Sequence, residues 1–227
     1  MISISIDADD VSGSIICIND ALTDVELRPI LARLENEKDK EIFGLVCKKW
    51  LWLQSTERKK LAARAGTHML RRMVDRFTRL VELDLAHGCK DVADDAMKLL
   101  ATACRSNVKN SRMDWCPNIS HSSLSCILSQ CRNLEALDIG CCEEVIDAAF
   151  QLISSKETGL SLKVNNCPKI TVAGIGVLAG KCTYLEYLDV RSCPHIAKAG
   201  LDEAGFCFPE CCEVNFNDSM NEPVMFL

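Results

Sequence analysis

Cysteine is the side chain with the widest choice of chemistry in this sequence, with 15 copies among 227 residues. Thiols can form disulfides, bind zinc or act as nucleophiles, according to their pairing, spacing and ionisation. The odd count leaves at least one thiol unpaired within a monomer. The first ten residues hold three aspartates and no basic flank before an apolar run, which is unlike a secretory signal. We therefore expect an intracellular protein with reduced thiols, located in the cytoplasm, the nucleus or both.

The spacing of the reactive residues gives little support for catalysis. The sequence contains no nucleophile elbow, phosphate-binding glycine loop or HExxH motif. The four histidines are scattered: His68, His87, His121 and His195. A zinc site at Cys207, Cys211 and Cys212 is the one chemical option, against the alternative that "CEVNF" is a closing strand. We expect no catalytic residues, no bound metal, no cofactor and no membrane span, because no run reaches roughly 18 apolar residues.

The cysteines instead mark an internal repeat. One cysteine ends each of five short alternating segments, at intervals of 27, 26, 25 and 26 residues: Cys89, Cys116, Cys142, Cys167 and Cys193. Of the positions three, eight and eleven residues after these markers, fourteen of fifteen hold a large apolar residue. Alternation before the marker predicts a strand, and apolar followers three apart predict one helix face. About five strand–turn–helix units are therefore expected between residues 80 and 206.

A buried turn explains why cysteine recurs. The side chain is compact, tolerates burial and is a weak hydrogen-bond donor, so it can satisfy backbone groups where the chain bends after a strand. Two irregularities are visible: Ser111 occupies a position expected to be large and apolar, and the fourth unit is short by a residue. We interpret most of the cysteines as packing residues.

Polar side chains on the outer strand faces are the candidates for contact with a target protein. They are Asp84, Arg112, Asp114, Asp138, Lys163, Asn165, Tyr187, Asp189 and Arg191. The central column alternates in charge between strands about 4.8 Å apart. It is either a polar recognition surface or a set of cross-strand pairs that neutralise each other. Tyr187 and Arg191 are the expected anchors, because interface hot spots favour those residue types.

The N-terminal part follows a helical pattern. Thr23 with Glu26 predicts a capping box, and the apolar face of the first helix follows it. A second apolar helix face is expected from Ile42 to Trp50. Pro29 lies past the first turn of the first helix, where it removes a hydrogen bond and predicts a kink that costs about 3 kcal/mol.

Two groups of segments resemble known families. "LTDVELRPILARL" and "EIFGLVCKKWLWL" resemble an F-box, although Thr23 stands where that family usually has proline. "CRNLEALDIGCCEEVIDAAF" and "CTYLEYLDVRSCPHIAKAGL" resemble cysteine-containing leucine-rich repeats. An F-box before such repeats is similar to plant-type F-box/leucine-rich-repeat proteins, here as a shortened member. The resemblance implies an α/β fold: a short helical F-box module, then a right-handed leucine-rich-repeat solenoid with parallel strands concave and helices convex.

The same resemblance implies a function. The chain would be the non-catalytic substrate-recognition subunit of an SCF-type cullin-RING ubiquitin ligase, with a Skp-type adaptor, and through it cullin, as partners. The implied adaptor-binding residues are Leu22, Leu27, Ile30, Leu31, Leu34, Leu45, Val46, Cys47 and Trp50. The alternative is an interaction scaffold or decoy that binds a target protein without delivering ubiquitin.

These patterns divide the chain into five parts. We expect a flexible N-terminus (1–17), the F-box-like helices (18–56), a basic linker helix (57–79), the repeats (80–206), and a cap and tail (207–227). The linker has a net charge of +6 in a chain of −6. A nucleic-acid surface is one interpretation, but no aromatic residues interleave to stack bases, so we favour a solvated basic face and expect neither nucleic acid nor membrane as a partner.

Overall fold

A computed structural model describes residues 18–62, 67–86, 94–103, 107–153 and 159–216. The chain divides into two compact units, 1–58 and 59–227. The first unit is helical, and its helices are α1 (Ile18–Ala21), α2 (Asp24–Arg33), α3 (Glu37–Leu45) and α4 (Lys48–Glu57). We call it the helical unit and the second one the repeat unit.

Local signals account for where α2 and α3 begin. The backbone N–H and the hydroxyl of Thr23 both donate to the Glu26 carboxylate, at 2.7 and 2.8 Å, which completes the expected capping box. The backbone hydrogen bond lowers the pKa of Glu26. Asn36 caps α3 by accepting from the Lys38 N–H at 3.0 Å. α2 continues through Pro29 to Arg33, so the proline does not end it.

The second apolar segment of this unit differs from the expectation. The apolar residues between Ile42 and Trp50 do not lie on one helix, because α3 ends at Leu45 and α4 begins at Lys48. Phe43 lies in the core with residues of α2 and α4, and its ring centroid is 4.4 Å from that of Trp50. The break lets α3 and α4 both pack their apolar sides into one small core.

The repeat unit contains one parallel sheet of seven strands in chain order. They are β1 (Lys60–Ala62), β2 (Glu82–Asp84), β3 (Asn110–Arg112), β4 (Ala136–Asp138), β5 (Leu160–Lys163), β6 (Leu185–Asp189) and β7 (Glu213–Asn215). The helices between them are α5 (Thr67–Arg76), α6 (Asp94–Ala103), α7 (His121–Gln130), α8 (Val172–Lys181) and α9 (Lys198–Ala204), with a 3₁₀ helix at Asp147–Phe150. The expected α/β class with parallel strands is confirmed.

The array begins one unit earlier than the cysteine spacing indicates, and it ends with the closing strand that was one of the two interpretations of "CEVNF". The segment 57–79 is not a single linker helix: it contains β1, which pairs with β2, and α5. Leu61 and Leu70 lie in the repeat core, so this segment forms a further unit without a marker cysteine. At the other end, "CEVNF" contains β7, which pairs with β6. The cysteine spacing did not reveal this first unit, because β1 is not followed by the cysteine that marks the other units.

Four of the five marker cysteines have the expected structural role. Each is buried, and its thiol lies within hydrogen-bonding distance of a backbone carbonyl of the preceding unit: Cys116 to Leu85 at 3.5 Å, Cys142 to Met113 at 3.4 Å, Cys167 to Ile139 at 3.3 Å and Cys193 to Val164 at 3.1 Å. Burial raises the pKa of Cys142 to about 11 and that of Cys167 to about 12, so these thiols stay protonated donors. Cys89 lies outside the described residues.

Candidate protein-interaction surfaces

The helical unit exposes an unusual share of large apolar side chains. Eight of the eleven such side chains among the described residues belong to it, although it supplies about a quarter of those residues. The most exposed are Leu45 (80%), Val25 (78%), Ile42 (61%) and Trp52 (54%). Single exposed apolar residues are ordinary, but a concentration in one small unit is typical of a protein interface.

The nine residues expected to bind an adaptor fall into three groups. Leu45, Val46 and Ile30 are exposed, while Leu22, Leu34, Cys47 and Trp50 are partly buried. Leu27 and Leu31 are buried at 0% and 5% exposure. These two are therefore corrected from contact residues to core residues: they lie one turn apart on the side of α2 that packs into the core.

Five exposed apolar residues of the helical unit lie outside the adaptor-binding prediction: Ile18, Val25, Ile42, Leu51 and Trp52. Trp52 follows Trp50 by two positions, which is roughly 200° around a helix, so the two indoles point to different sides of α4. Trp50 turns inward against Phe43, and its buried indole N–H has no acceptor among the described residues. The sequence could have indicated that Trp52 is exposed, because Trp52 lies off the apolar face of α4 that packs into the core.

The sheet of the repeat unit brings the predicted charged column together. Backbone register places Asp84, Arg112, Asp138, Lys163 and Asp189 side by side on β2 to β6. A groove of about 420 Å³ lies over β1 to β5 and is lined by members of this column, together with small residues such as Ala136 and Ser161. The groove therefore offers both charged groups and space.

Two of the five column residues, Arg112 and Asp189, pair along the chain rather than between strands. Arg112 donates to Asp114 at 2.8 Å, and this hydrogen bond raises the pKa of Arg112. Within the described part of the column, Lys163 and Asp138 are the one cross-strand ion pair, at 3.8 Å. Burial raises the pKa of Asp138. Cross-strand neutralisation is thus a smaller effect than the alternating pattern indicates.

Three aspartates of the column also end their strands. Asp84 accepts from the N–H of Ala86 at 3.2 Å, Asp138 from that of Gly140 at 3.2 Å, and Asp189 from that of Arg191 at 3.1 Å. Such a bond from a residue two positions on forms a local turn. These aspartates are structural whether or not a partner binds.

The predicted anchors lie next to a buried acid. Asp189 has 0% exposure and accepts from the Arg191 guanidinium at 2.7 and 2.9 Å. It is therefore corrected from a contact residue to one that positions Arg191, which remains exposed. Tyr187 is partly buried, and its hydroxyl accepts from the Asn215 amide at 3.3 Å. Asp114 is 8% exposed, and Asn165 is partly buried over Gly140.

Metal and membrane chemistry find no structural support in the described residues. No group of three or more His, Cys, Asp or Glu side chains there is arranged to hold a metal ion. Cys207 and Cys211 are exposed, Cys212 is partly buried, and burial raises the pKa of Cys212 to about 11. None of the described helices is both long and apolar enough to cross a membrane.

Comparison with known proteins agrees with this architecture. No protein-family model matches the chain. F-box/LRR-repeat protein 12 of Arabidopsis thaliana is 27% identical over 161 residues, covering 62% of this chain, which spans 40% of that relative's length. A chain in the crystal structure of the Rad7 and Elc1 complex in yeast matches with a TM-score of 0.52 at 13% identity, over 69% of this chain and 42% of that one. The protein resembles plant-type F-box/leucine-rich-repeat proteins in sequence and has the α/β leucine-rich-repeat solenoid fold.

Proposed function

We propose that this protein is the substrate-recognition subunit of an SCF-type cullin-RING ubiquitin ligase. The helical unit binds a Skp-type adaptor through its exposed apolar residues, and cullin joins through the adaptor. The strand faces of the repeat unit bind the target protein. The chain itself is non-catalytic, and ubiquitin is transferred by other subunits.

The observation that carries this proposal is the exposed apolar surface of a unit that already has a core of its own. Leu27, Leu31, Phe43 and Leu53 fill that core, so the exposed leucines and Trp52 are not needed for folding. Exposing Leu45 at 80% costs free energy that burial against a partner would recover, at about 25 cal/mol per Å² of apolar surface. The similarity to an F-box/LRR-repeat protein indicates the class of partner.

The target-binding part of the proposal rests on the sheet. The groove over β1 to β5 places Arg112, Asp138 and Lys163 around the small residues Ala136 and Ser161. Arg191 extends the same face at β6 and is held in place by buried Asp189. Preorganised charged groups of this kind favour specificity, because they are already oriented before the target arrives.

Adaptor binding is tested with one charge introduced at an exposed leucine. We expect Leu45→Glu to weaken binding of a purified Skp-type adaptor at least tenfold in calorimetry, because a carboxylate cannot be buried in an apolar interface without cost. Leu152→Glu is the matched control, since Leu152 is also exposed (61%) but lies in the repeat unit. The proposal fails if wild-type protein with folded repeats does not bind adaptor at micromolar concentrations, or if both variants bind equally well.

Reconstitution separates a ligase subunit from a decoy. With adaptor, cullin and the remaining ligase components present, a receptor promotes ubiquitin chains on a protein bound to the strand faces. A scaffold or decoy holds the same protein without modification. We expect chain formation that is lost in Leu45→Glu.

A further inference from the structure

Positive charge collects on one edge of the repeat unit. In a parallel array all connections that run from a helix to the next strand lie at the same edge, because every strand enters the sheet in the same direction. Within the repeat unit, which begins at Lys59, the described connections before β1 to β4 and the residues that flank them hold six basic residues. These are Lys59, Lys60, Arg76, Arg79, Lys109 and Arg132, and we call them the basic edge.

The basic edge exceeds the acid that surrounds it. The same stretches hold two acidic residues, Glu82 and Glu135, which pair with Lys60 at 3.3 Å and Lys109 at 2.6 Å. Basic residues outnumber acidic ones by six to two in these stretches, on a chain whose net charge is −6. Every one of the six basic residues is exposed. The ion pairs with Glu82 and Glu135 therefore leave the basic edge with a net positive charge.

The helix dipole does not explain this concentration. Basic residues are favoured near helix C-termini, where the partial charge is negative. That effect would act equally on α8 and α9, yet the connections that follow them, with their flanking residues, hold one basic residue, Lys181, and two acidic residues, Glu210 and Glu213. Among the described connections the basic excess is therefore restricted to those before the first four strands, which is typical of a binding surface.

The opposite edge has a different balance. The described strand-to-helix connections hold three acidic residues, Asp114, Glu143 and Glu144, and two basic ones, Lys169 and Arg191. Lys169 pairs with Glu144 at 2.9 Å, and Arg191 pairs with Asp189. Charge is thus polarised across the sheet, and the basic edge meets the candidate target-binding groove at Lys60.

We propose that the basic edge binds an acidic polypeptide segment, rich in Asp and Glu, of a partner protein. This inference is independent of the adaptor-binding proposal. Charge complementarity supplies the attraction, and the basic side chains recur in the connections that precede neighbouring strands, so an extended acidic segment can lie along the edge. Nucleic acid fits less well, because the described connections before β1 to β4 expose no aromatic ring on which bases could stack, and the exposed Tyr184 lies before β6, beyond the basic residues.

Fluorescently labelled poly-L-glutamate of about 20 residues is the probe. We expect it to bind the full chain at low ionic strength and to dissociate as salt rises, because the Debye length falls from about 30 Å at 0.01 M to about 10 Å at 0.1 M. The variant Lys59→Gln, Arg79→Gln, Arg132→Gln should weaken binding about tenfold or more. The control Lys98→Gln, Lys169→Gln, Lys198→Gln changes net charge equally at exposed positions outside the basic edge and should bind like wild type.

Three results would overturn the proposal. The first is no polyglutamate binding at low salt, and the second is an equal loss in both triple variants, which would indicate attraction by net charge alone. The third is tighter binding of a single-stranded oligonucleotide of the same length that depends on the basic edge. Circular dichroism confirms that each variant is folded, and adaptor binding by the first triple variant shows that the two proposals fail or hold separately.

Discussion

Among the described strands, Ser111 is the inward-facing residue at which a hydroxyl breaks the apolar pattern of the solenoid core. It pairs in register with Leu83 and Leu137, is 4% exposed, and its Oγ has no hydrogen-bond partner among the described residues. An unsatisfied buried hydroxyl costs about 1–3 kcal/mol. The repeat spacing identified the position as irregular, but only the structure shows that the hydroxyl is unsatisfied.

Ser111→Ala should therefore stabilise the protein. We expect the free energy of unfolding to rise by about 1 kcal/mol, measured as a higher urea midpoint at an unchanged m-value. Ser125→Ala is the matched control, because Ser125 is also buried but donates to the Ala149 carbonyl at 3.2 Å, so its removal should destabilise. Loss of stability in both variants would contradict the assignment of Ser111 as unsatisfied.

The marker cysteines predict a pH dependence. Their ordinary pKa is 9.0, and burial raises it to about 11 for Cys142 and about 12 for Cys167. Because the pKa of these thiols is higher in the folded protein than in the unfolded chain, their contribution to stability is complete below pH 9. It is lost as pH rises towards 11 to 12, since the thiols of the unfolded chain ionise first. At pH 10 the loss is on the order of 1 kcal/mol for each thiol.

Urea unfolding at pH 8 and pH 10 measures this effect. The double variant Cys142→Ala, Cys167→Ala should lose less stability between these pH values than wild type does. Cys211→Ala removes an exposed thiol and should keep the wild-type dependence. Identical pH dependence in wild type and the double variant would show that the buried thiols do not contribute.

At the scale of elements, neighbouring units are joined by a recurring carboxylate link. Asp94 at the start of α6 accepts from the Ser120 N–H at 3.2 Å and from the Ser120 and Ser123 hydroxyls at 2.5 and 2.6 Å. Asp147 makes the same kind of link to the N–H and hydroxyl of Thr171, at 2.8 and 2.6 Å. Ser120 and Thr171 are the N-caps of α7 and α8. Each link therefore orients the next helix.

Asp94→Ala should weaken the junction between α6 and α7. Burial acts to raise the pKa of Asp94, but the hydrogen bonds from Ser120 and Ser123 outweigh it and lower the pKa. The stabilisation is therefore complete above the ordinary value of 3.8 and is lost as pH falls through the lower folded value. We expect Asp94→Ala to cost about 1 kcal/mol at pH 7, after solvent screening, and much less near pH 2.

The neighbouring residue provides the control for this link. Asp95 also lies in the first turn of α6 but is exposed, so Asp95→Ala should change stability little. Amide hydrogen exchange locates the effect, because loss of the link should speed exchange in α7 but not in α9. Equal effects of the two substitutions would indicate a general charge effect at the helix N-terminus.

At the scale of the whole molecule, the two units have separate hydrophobic cores. Leu27, Leu31, Phe43 and Leu53 form the core of the helical unit, and a much larger cluster runs through the repeat unit from Leu61 to Leu201. A small core supplies little stability of its own, since most of what burial gains is offset by chain entropy. The helical unit is therefore the part most sensitive to a single core substitution.

Leu27→Ala should unfold the helical unit selectively. The cavity costs about 2–5 kcal/mol, which is a large part of the stability of so small a unit. Hydrogen exchange should show lost protection in α2 to α4 and retained protection in β3 to β6, together with loss of adaptor binding. Loss of protection throughout the chain would instead show that the two units fold as one.

The sequence alone determined the repeat architecture, because each unit must bury the same inward positions. The marker cysteines, the alternating strand residues and the apolar helix positions therefore recur with a readable period. The tertiary structure decided what depends on contacts between units. Only the structure shows that β1 and its helix form a further unit and that Leu27 and Leu31 are buried. Only the structure shows that Asp189 is buried beside Arg191 and that basic residues of four connections lie on one edge. The spacing of apolar residues along the sequence indicates which side of an element is buried. The contacts of each side chain form only when the units stack.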